Sequence, residues 1–219
     1  MRKLGIVFLV TGMIIVGWFS YNHWSGMQSV TKVSGDVVKE VSDAQTDSDS
    51  IRVLEQDQDL EEIFNPDQAL NIDHVDGEEI ATLVIPSVDL AFDVFMGTGK
   101  DALAQGVGLY ESEWTTTPDL GGHTVLSGHR DSVFRPVGDL KDGEAVYVSY
   151  QGEDYEYKIN KTWITDEHDT SVIVEKEEPT LTLSTCYPFE FIGSAPDRYI
   201  VEAEFVRKGD LLNLSQLNK

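Results

Sequence analysis

A single cysteine is the residue of this chain best suited to act as a nucleophile. Cys186 ends a segment, residues 180–186, in which leucine alternates with threonine and serine, and Pro188 follows closely. The alternation is typical of a half-buried β-strand, and proline cannot donate to a sheet ladder, so the strand is predicted to end near the thiol. A thiol at a strand end can attack an acyl carbon, but a lone cysteine is more often a small buried apolar residue. The segment alone leaves both interpretations open.

A thiol nucleophile needs a nearby base or positive charge that favours the thiolate. Among the five histidines, His129 follows a predicted strand, residues 123–127, and one glycine. It is therefore expected at the mouth of a cleft, whereas His123, at the start of that strand, is expected to be structural. The other three lie in polar surroundings: His23, His74 and His168. His129 is therefore the candidate general acid and base.

A second positive group stands after the cysteine. Arg198 begins the last predicted strand, residues 199–206. If that strand pairs with the strand of Cys186, the connecting loop returns Arg198 to the thiol, where a guanidinium can stabilise an oxyanion or hold a peptide carbonyl. On spacing alone, an exposed arginine paired with Asp197 or Glu202 is an equally good interpretation.

The elements that must position these residues are predicted to be β-strands. From Gly77 onward, short runs rich in β-branched and aromatic residues alternate with glycine, proline and acidic turns. The predicted strands are residues 80–85, 90–95, 123–127, 145–150, 155–165, 180–186 and 199–206, with one helical turn at 101–105. Many short strands with little helix predict a closed barrel or a sandwich.

Residues 1–24 predict a membrane anchor. Arg2 and Lys3 precede an uncharged apolar run of 16 residues, 4–19, which reaches spanning length when it is extended through Trp24. No small-residue cleavage site is clear after this run, which favours a retained anchor over a signal peptide. The positive-inside rule then predicts a single-pass protein of the cell membrane, with its N-terminus in the cytoplasm and the later residues outside.

Residues 25–76 predict an acidic stalk that is partly disordered. Residues 36–79 hold 15 acidic side chains and two basic ones, too little apolar surface to offset chain entropy. An amphipathic helix that ends before Asn65 is indicated by Ile51, Leu54, Ile63 and Phe64, and it is either transient or an appendage docked on the following domain. The formal charge of −23 argues against nucleic acid as a partner, since phosphate binding needs basic patches. Residues 209–219 form a short polar tail.

Three motifs, which follow one another along the chain in the order His129, Cys186 and Arg198, resemble those of the sortases, the membrane-anchored cysteine transpeptidases of Gram-positive bacteria. Thr182-Leu183-Ser184-Thr185-Cys186 is similar to the Thr-Leu-x-Thr-Cys signature of that family. Ser127-Gly128-His129-Arg130 resembles the segment around the family's catalytic histidine, and Arg198 matches its arginine. The resemblance covers residues 77–208, and the sequence around Cys186 and Arg198 looks most like that of class D sortases.

The resemblance implies an all-β fold, namely a closed eight-stranded barrel with short helices. It also implies a class of substrate. The substrate would be a Leu-Pro-x-Thr-(Gly/Ala) sorting signal near the C-terminus of a secreted protein. Cys186 would form a thioester with the threonine, His129 would act as general acid and base, and Arg198 would stabilise the oxyanion or position the peptide. Thr185 would line the same pocket. The acceptor would be an amine of peptidoglycan or of its precursor.

Two other functions fit the same residues. A hydrolytic cysteine peptidase would use the same site with water as acceptor, and a membrane-tethered binding module would use no catalysis. No cofactor is expected. Some sortases bind calcium through clustered carboxylates, and the candidates by sequence proximity are Glu111, Glu113, Asp119, Asp166, Glu167 and Asp169. Solvated acidic loops are the simpler interpretation of these residues, so no metal site is predicted.

Overall fold

The computed structural model describes residues 6, 9–18, 30–33, 64, 74–190, 193 and 195–212. The strands of this part are β1 (Val30–Lys32), β2 (Glu79–Ile85), β3 (Leu90–Met96), β4 (Val107–Leu109), β5 (His123–Gly128), β6 (Ala145–Tyr150), β7 (Glu153–Asp166), β8 (Thr180–Tyr187) and β9 (Asp197–Gly209). One short α-helix spans Lys100–Gln105, and 3₁₀ turns span Pro86–Val88, Pro118–Leu120 and Arg135–Asp139.

Strands β2 to β9 close into a barrel. The strand order is β3-β2-β6-β7-β9-β8-β5-β4, and parallel pairing of β4 with β3 completes the circle. Strand β1 adds to the free edge of the first half of β3, where Val30 lies opposite Phe92. The expected closed eight-stranded barrel is therefore confirmed, with a ninth short strand outside it.

Local sequence explains where most strands end. Pro86 follows the last residue of β2 and starts a 3₁₀ turn, because proline has no N–H for the ladder. The β6–β7 hairpin turns at Gln151 and Gly152, whose φ angles of 51° and 84° are those of a primed two-residue turn. Strand β4 was not predicted, because it is only three residues long and contains Gly108.

The barrel interior is filled by aliphatic and aromatic side chains from every strand. On β8, Leu181 and Leu183 point into this core and are fully buried, together with Leu126 of β5 and Val201 of β9. Burial of each such side chain stabilises the fold by about 1.5–3 kcal/mol. The two strands flanking β8 are thus held to it by the core as well as by the ladder, which gives the site at their ends a rigid base.

A smaller apolar cluster lies on the outside of the barrel. Val84 and Tyr147 face outward there, and they are covered by Val33 from the N-terminal side and Leu212 from the C-terminal side. The carboxylate of Asp154 accepts hydrogen bonds from the backbone N–H groups of Leu211 and Leu212, at 2.9 and 2.8 Å, which holds this end of the chain in place.

Part of the predicted acidic stalk contacts the barrel. Phe64 is 5 % exposed and belongs to the main core, with its ring centroid 5.0 Å from that of Phe205. Gly121 leaves the room for this ring, since a Cβ there would lie 2.2 Å from Phe64 Cγ. The rest of residues 25–76, apart from residues 30–33 and 74–76, lies outside the described residues.

The predicted anchor is described only at residue 6 and residues 9–18, and the latter form an exposed helix. Among the residues that the structure describes, no helix has the length and apolar character needed to cross a membrane. The anchor therefore stays a prediction.

Candidate active site

Strand β8 lies between the two strands that carry the other predicted site residues. Strand β8 pairs with β9, the arrangement considered from the sequence, and the pairing is antiparallel with Cys186 directly opposite Arg198. Strand β5 runs parallel to β8 on its other side, with Gly128 opposite Thr185, so His129 leaves β5 beside the cysteine. The three residues expected to carry the chemistry therefore meet at one end of the barrel.

These residues share an open cleft of about 530 Å³. Its lining consists of His129, Arg130, Asp131, Glu167, Cys186, Gly193, Ala195, Pro196 and Arg198. The thiol of Cys186 is free and half-buried, and His129 is exposed. A half-buried thiol beside an accessible imidazole can react with a group that enters the cleft from solvent.

Thr185 lies below the cleft and is absent from its lining. The residue is 3 % exposed, and its hydroxyl donates a hydrogen bond to the carbonyl oxygen of Gly128 at 2.8 Å. This bond joins β5 to β8 one residue before His129 and one residue before Cys186. The position expected to line the substrate pocket thus ties together the strands that present the two reactive groups.

Arg198 binds the loop next to it and one carboxylate. Its Nη1 donates to the carbonyl oxygens of Ala195 and Asp197, at 3.1 and 3.0 Å, and its Nη2 lies 3.3 Å from Oε2 of Glu167. Of the partners weighed from the sequence, Asp197 contributes its backbone carbonyl, while Glu202 pairs with Lys176 at 2.9 Å. The guanidinium is therefore held in the cleft, half-buried, with its plane fixed by three acceptors.

Two cleft residues were not identified as functional from the sequence. Arg130 donates from Nη1 to the carbonyl of Pro188 at 2.9 Å and from Nη2 to the carbonyl of Gly193 at 2.7 Å. Glu167 appeared there only as a calcium candidate, but it binds Arg198, and its backbone N–H donates to Pro196 at 2.9 Å. Neither role has a sequence signal beyond the position of Arg130 next to His129, because both depend on the path of the loop.

His123 is structural, as expected. It is 1 % exposed, with Nδ1 2.8 Å from the carbonyl of Val174 and Nε2 2.8 Å from the hydroxyl of Thr182. Since the carbonyl can only accept, Nδ1 carries the proton and Nε2 accepts from the hydroxyl. Burial lowers the pKa of His123, which keeps the ring neutral and committed to these two bonds.

A second cleft, of about 690 Å³, is formed in part by the residues that directly follow Cys186. It is lined by Arg135, Pro136, Gly138, Asp139, Tyr187, Pro188, Phe189 and Glu190. The rings of Tyr187, Phe189 and Tyr199 pack against one another, with centroids 5.3 to 6.3 Å apart. These aromatic contacts give the loop a fixed start next to the nucleophile.

Four of the six acidic residues weighed as calcium ligands have other partners: Asp119, Asp166, Glu167 and Asp169. The carboxylate of Asp169 accepts hydrogen bonds from Ser171 and from the hydroxyl of Thr165, and that of Asp119 accepts from Thr117. The hydrogen bonds from Ser171 and Thr165 lower the pKa of Asp169. In the described part of the chain, no three histidine, cysteine, aspartate or glutamate residues are grouped so that they could hold a metal ion.

Comparison with known proteins places these features in context. The sortase domain model matches residues 83–206. Sortase D of Bacillus subtilis is 41 % identical over 126 residues, which are 57 % of this chain and 63 % of that protein. Sortase A of Listeria monocytogenes is 26 % identical over 198 residues, 84 % of this chain and 83 % of that protein. The alignment with sortase D thus spans less than two thirds of that relative.

Solved structures show the same similarity. The catalytic domain of SrtD from B. anthracis is 49 % identical and matches with a TM-score of 0.55, covering 62 % of this chain and 92 % of that domain. Sortase E1 from Streptomyces coelicolor, solved with a tripeptide in its active site, is 29 % identical with a TM-score of 0.55, covering 60 % of this chain and 90 % of that one.

Proposed function

This chain belongs to the sortase family, whose domain model matches more than half of it, and we propose that it is a class D sortase acting as a cysteine transpeptidase. The observation that carries the proposal is the meeting of Cys186, His129 and Arg198 in one open cleft at the ends of β5, β8 and β9. A thiol, an acid–base group and a fixed cation are the groups that acyl transfer through a thioester requires.

The proposed donor is a Leu-Pro-x-Thr-(Gly/Ala) sorting signal of a secreted protein. The cleft is open, and its volume of about 530 Å³ lies in the range of ligand-binding clefts. The tripeptide in the active site of sortase E1 supports a peptide substrate for the corresponding cleft here. The motif itself rests on the resemblance to sortases.

In the first half of the proposed reaction, the Cys186 thiolate attacks the threonine carbonyl of the donor peptide. The C–Sγ bond forms and the C–N bond to the next residue breaks, with His129 delivering a proton to the leaving amine. Arg198 stabilises the oxyanion or binds a peptide carbonyl. Its Nη1 bonds to loop carbonyls hold the guanidinium in place before the peptide arrives, so little reorganisation is needed.

In the second half, an amine of peptidoglycan or of its precursor attacks the thioester. The C–N bond forms, the C–Sγ bond breaks, and His129 takes the extra proton from the amine nitrogen. Water competes for the same thioester, which is why a hydrolytic peptidase is the nearest alternative. We further propose that residues 1–24 anchor the protein in the cell membrane, with the barrel outside, where sorting signals and wall amines occur.

The test is incubation of the full chain with a Leu-Pro-x-Thr-Gly peptide, with and without an amine acceptor. We expect a transfer product that requires the amine, and we expect Cys186→Ala and His129→Ala to abolish it. Arg198→Lys keeps the charge but loses the fixed fork, so it should lower kcat/KM by about ten-fold or more. Peptide release with no transfer product at any amine concentration would favour the hydrolase, and no cleavage at all would favour a binding module.

A further inference from the structure

One arginine binds two separate residues of the loop that follows the nucleophile. Arg130, half-buried beside His129, donates from Nη1 to Pro188 and from Nη2 to Gly193, at 2.9 and 2.7 Å. Both acceptors are backbone carbonyls, so no substitution of a loop side chain removes them. An arginine can hold two carbonyls at once because its donors form a rigid planar fork.

The two carbonyls belong to different clefts. Pro188 lines the second cleft, whereas Gly193, like Arg130 itself, lines the cleft of Cys186. The described residues of this loop line one cleft or the other: 187–190 line the second cleft, and 193, 195 and 196 line the cleft of Cys186, and together we call them the wall. The side chain of Arg130 reaches from the position next to His129 to the wall, where it binds Pro188 and Gly193.

We propose that Arg130 is a positioning residue that fixes this wall, and that the fixed wall favours attack of an amine over attack of water on the acyl-enzyme. This inference rests on the proposed function. The acyl peptide occupies the cleft of Cys186, so an acceptor has to approach the thioester from beside it. The second cleft reaches Tyr187, the neighbour of the nucleophile, and contains the carboxylates of Asp139 and Glu190, which can accept hydrogen bonds from an amine; Arg135, 3.9 Å from Glu190, lies in the same cleft.

An amine and water compete as acceptors at one step, the attack on the thioester. In both cases a new bond forms to the acyl carbon, C–N from the amine or C–O from water, the C–Sγ bond breaks to release Cys186, and the incoming nitrogen or oxygen gives one proton to His129. The amine must dock in one orientation to reach the carbonyl carbon, whereas water needs no docking site. A loosened wall therefore slows the amine reaction and leaves hydrolysis unchanged or faster, so it changes the ratio of the two products.

The experiment measures transfer and hydrolysis products from a Leu-Pro-x-Thr-Gly peptide at several concentrations of one amine acceptor, in the full chain and in Arg130 variants. Arg130→Gln removes the charge and the fork, and Arg130→Lys keeps the charge without the fork. Lys161→Ala, at an exposed position on β7, is the control for loss of one positive charge. Acyl-enzyme formed per active site and the unfolding temperature are measured for every variant.

We expect the ratio of transfer to hydrolysis to fall about ten-fold in both Arg130 variants, the factor that corresponds to one charge-assisted hydrogen bond. Lys161→Ala should keep the wild-type ratio. A wild-type ratio in Arg130→Lys would overturn the inference, as would an equal fall in Lys161→Ala, because charge alone would then be responsible. If the wild-type chain forms no transfer product, the proposed function fails first. If the wild-type chain transfers and no Arg130 variant changes the ratio, only this inference fails.

Discussion

The hydroxyl of Thr185 offers the sharpest test of how the barrel sets the geometry of the site. Its hydrogen bond to the Gly128 carbonyl joins the two strands directly below Cys186 and His129. Replacement by valine keeps the shape and the strand preference of the side chain but leaves a buried carbonyl without this donor. Such a loss costs about 1–3 kcal/mol, and for a domain of this size each kcal/mol lowers the unfolding temperature by about 4 °C.

We therefore expect Thr185→Val to unfold about 8 °C below wild type. We also expect kcat/KM to fall by about ten-fold or more, because small shifts between reacting groups are costly. Thr185→Ser keeps the hydroxyl and should lose little of either. The assays are thermal unfolding and peptide cleavage, with rates normalised to titrated thiol so that inactive protein does not count.

Thr182 on the same strand provides the matched control. It is fully buried, and its hydroxyl bonds to His123, about 13 Å along the strand from Cys186. Thr182→Val should lower stability without changing kcat/KM per active thiol. The reasoning fails if Thr185→Val cleaves peptide at the wild-type rate, or if Thr182→Val loses activity to the same degree.

Three further predictions concern residues around the site and the barrel. Phe64→Ala should lower the free energy of unfolding by about 3 kcal/mol in a urea titration, since its ring is part of the core; an unchanged midpoint would mean that residue 64 does not dock. Because burial lowers the pKa of His123, the unfolded chain binds its proton more readily, so stability should fall as the pH drops below about 6.5. His123→Gln should reduce that slope, and an identical slope would contradict the assignment. Glu167→Gln should change stability by less than about 1 kcal/mol, because its pair with Arg198 is partly exposed, at 39 % and 30 %; a loss of several kcal/mol would show that the pair is effectively buried.

Local sequence predicted the features that depend on short-range rules. The alternation before Cys186 predicts a strand and the residues after Arg198 predict another, and the structure has both as neighbours with Cys186 opposite Arg198. Proline and glycine marked the strand ends well, because their backbone limits act within one or two residues. The same backbone limits predict that β5 ends at Gly128 and that His129 lies just beyond the strand.

The features that the sequence did not reveal depend on distant contacts. Whether the Thr185 hydroxyl faces the cleft or Gly128 depends on the parallel pairing of β5 and β8, which lie 57 residues apart at this bond. The bonds of Arg130 reach 58 and 63 residues along the chain to backbone carbonyls, which carry no residue-specific signal. Phe64 stands in an acidic segment whose composition predicts a linker, and its burial depends on the space left by Gly121.

The central claim is that Cys186 forms a thioester with a sorting-signal peptide. The most direct measurement is intact-protein mass spectrometry of the full chain after incubation with a Leu-Pro-x-Thr-Gly peptide. The account predicts an added mass equal to that of the peptide fragment ending at threonine minus one water, located on Cys186, removed by hydroxylamine and absent in Cys186→Ala. The claim would be contradicted if the wild-type chain cleaved the peptide without forming this adduct, or if Cys186→Ala cleaved the peptide as well as wild type does.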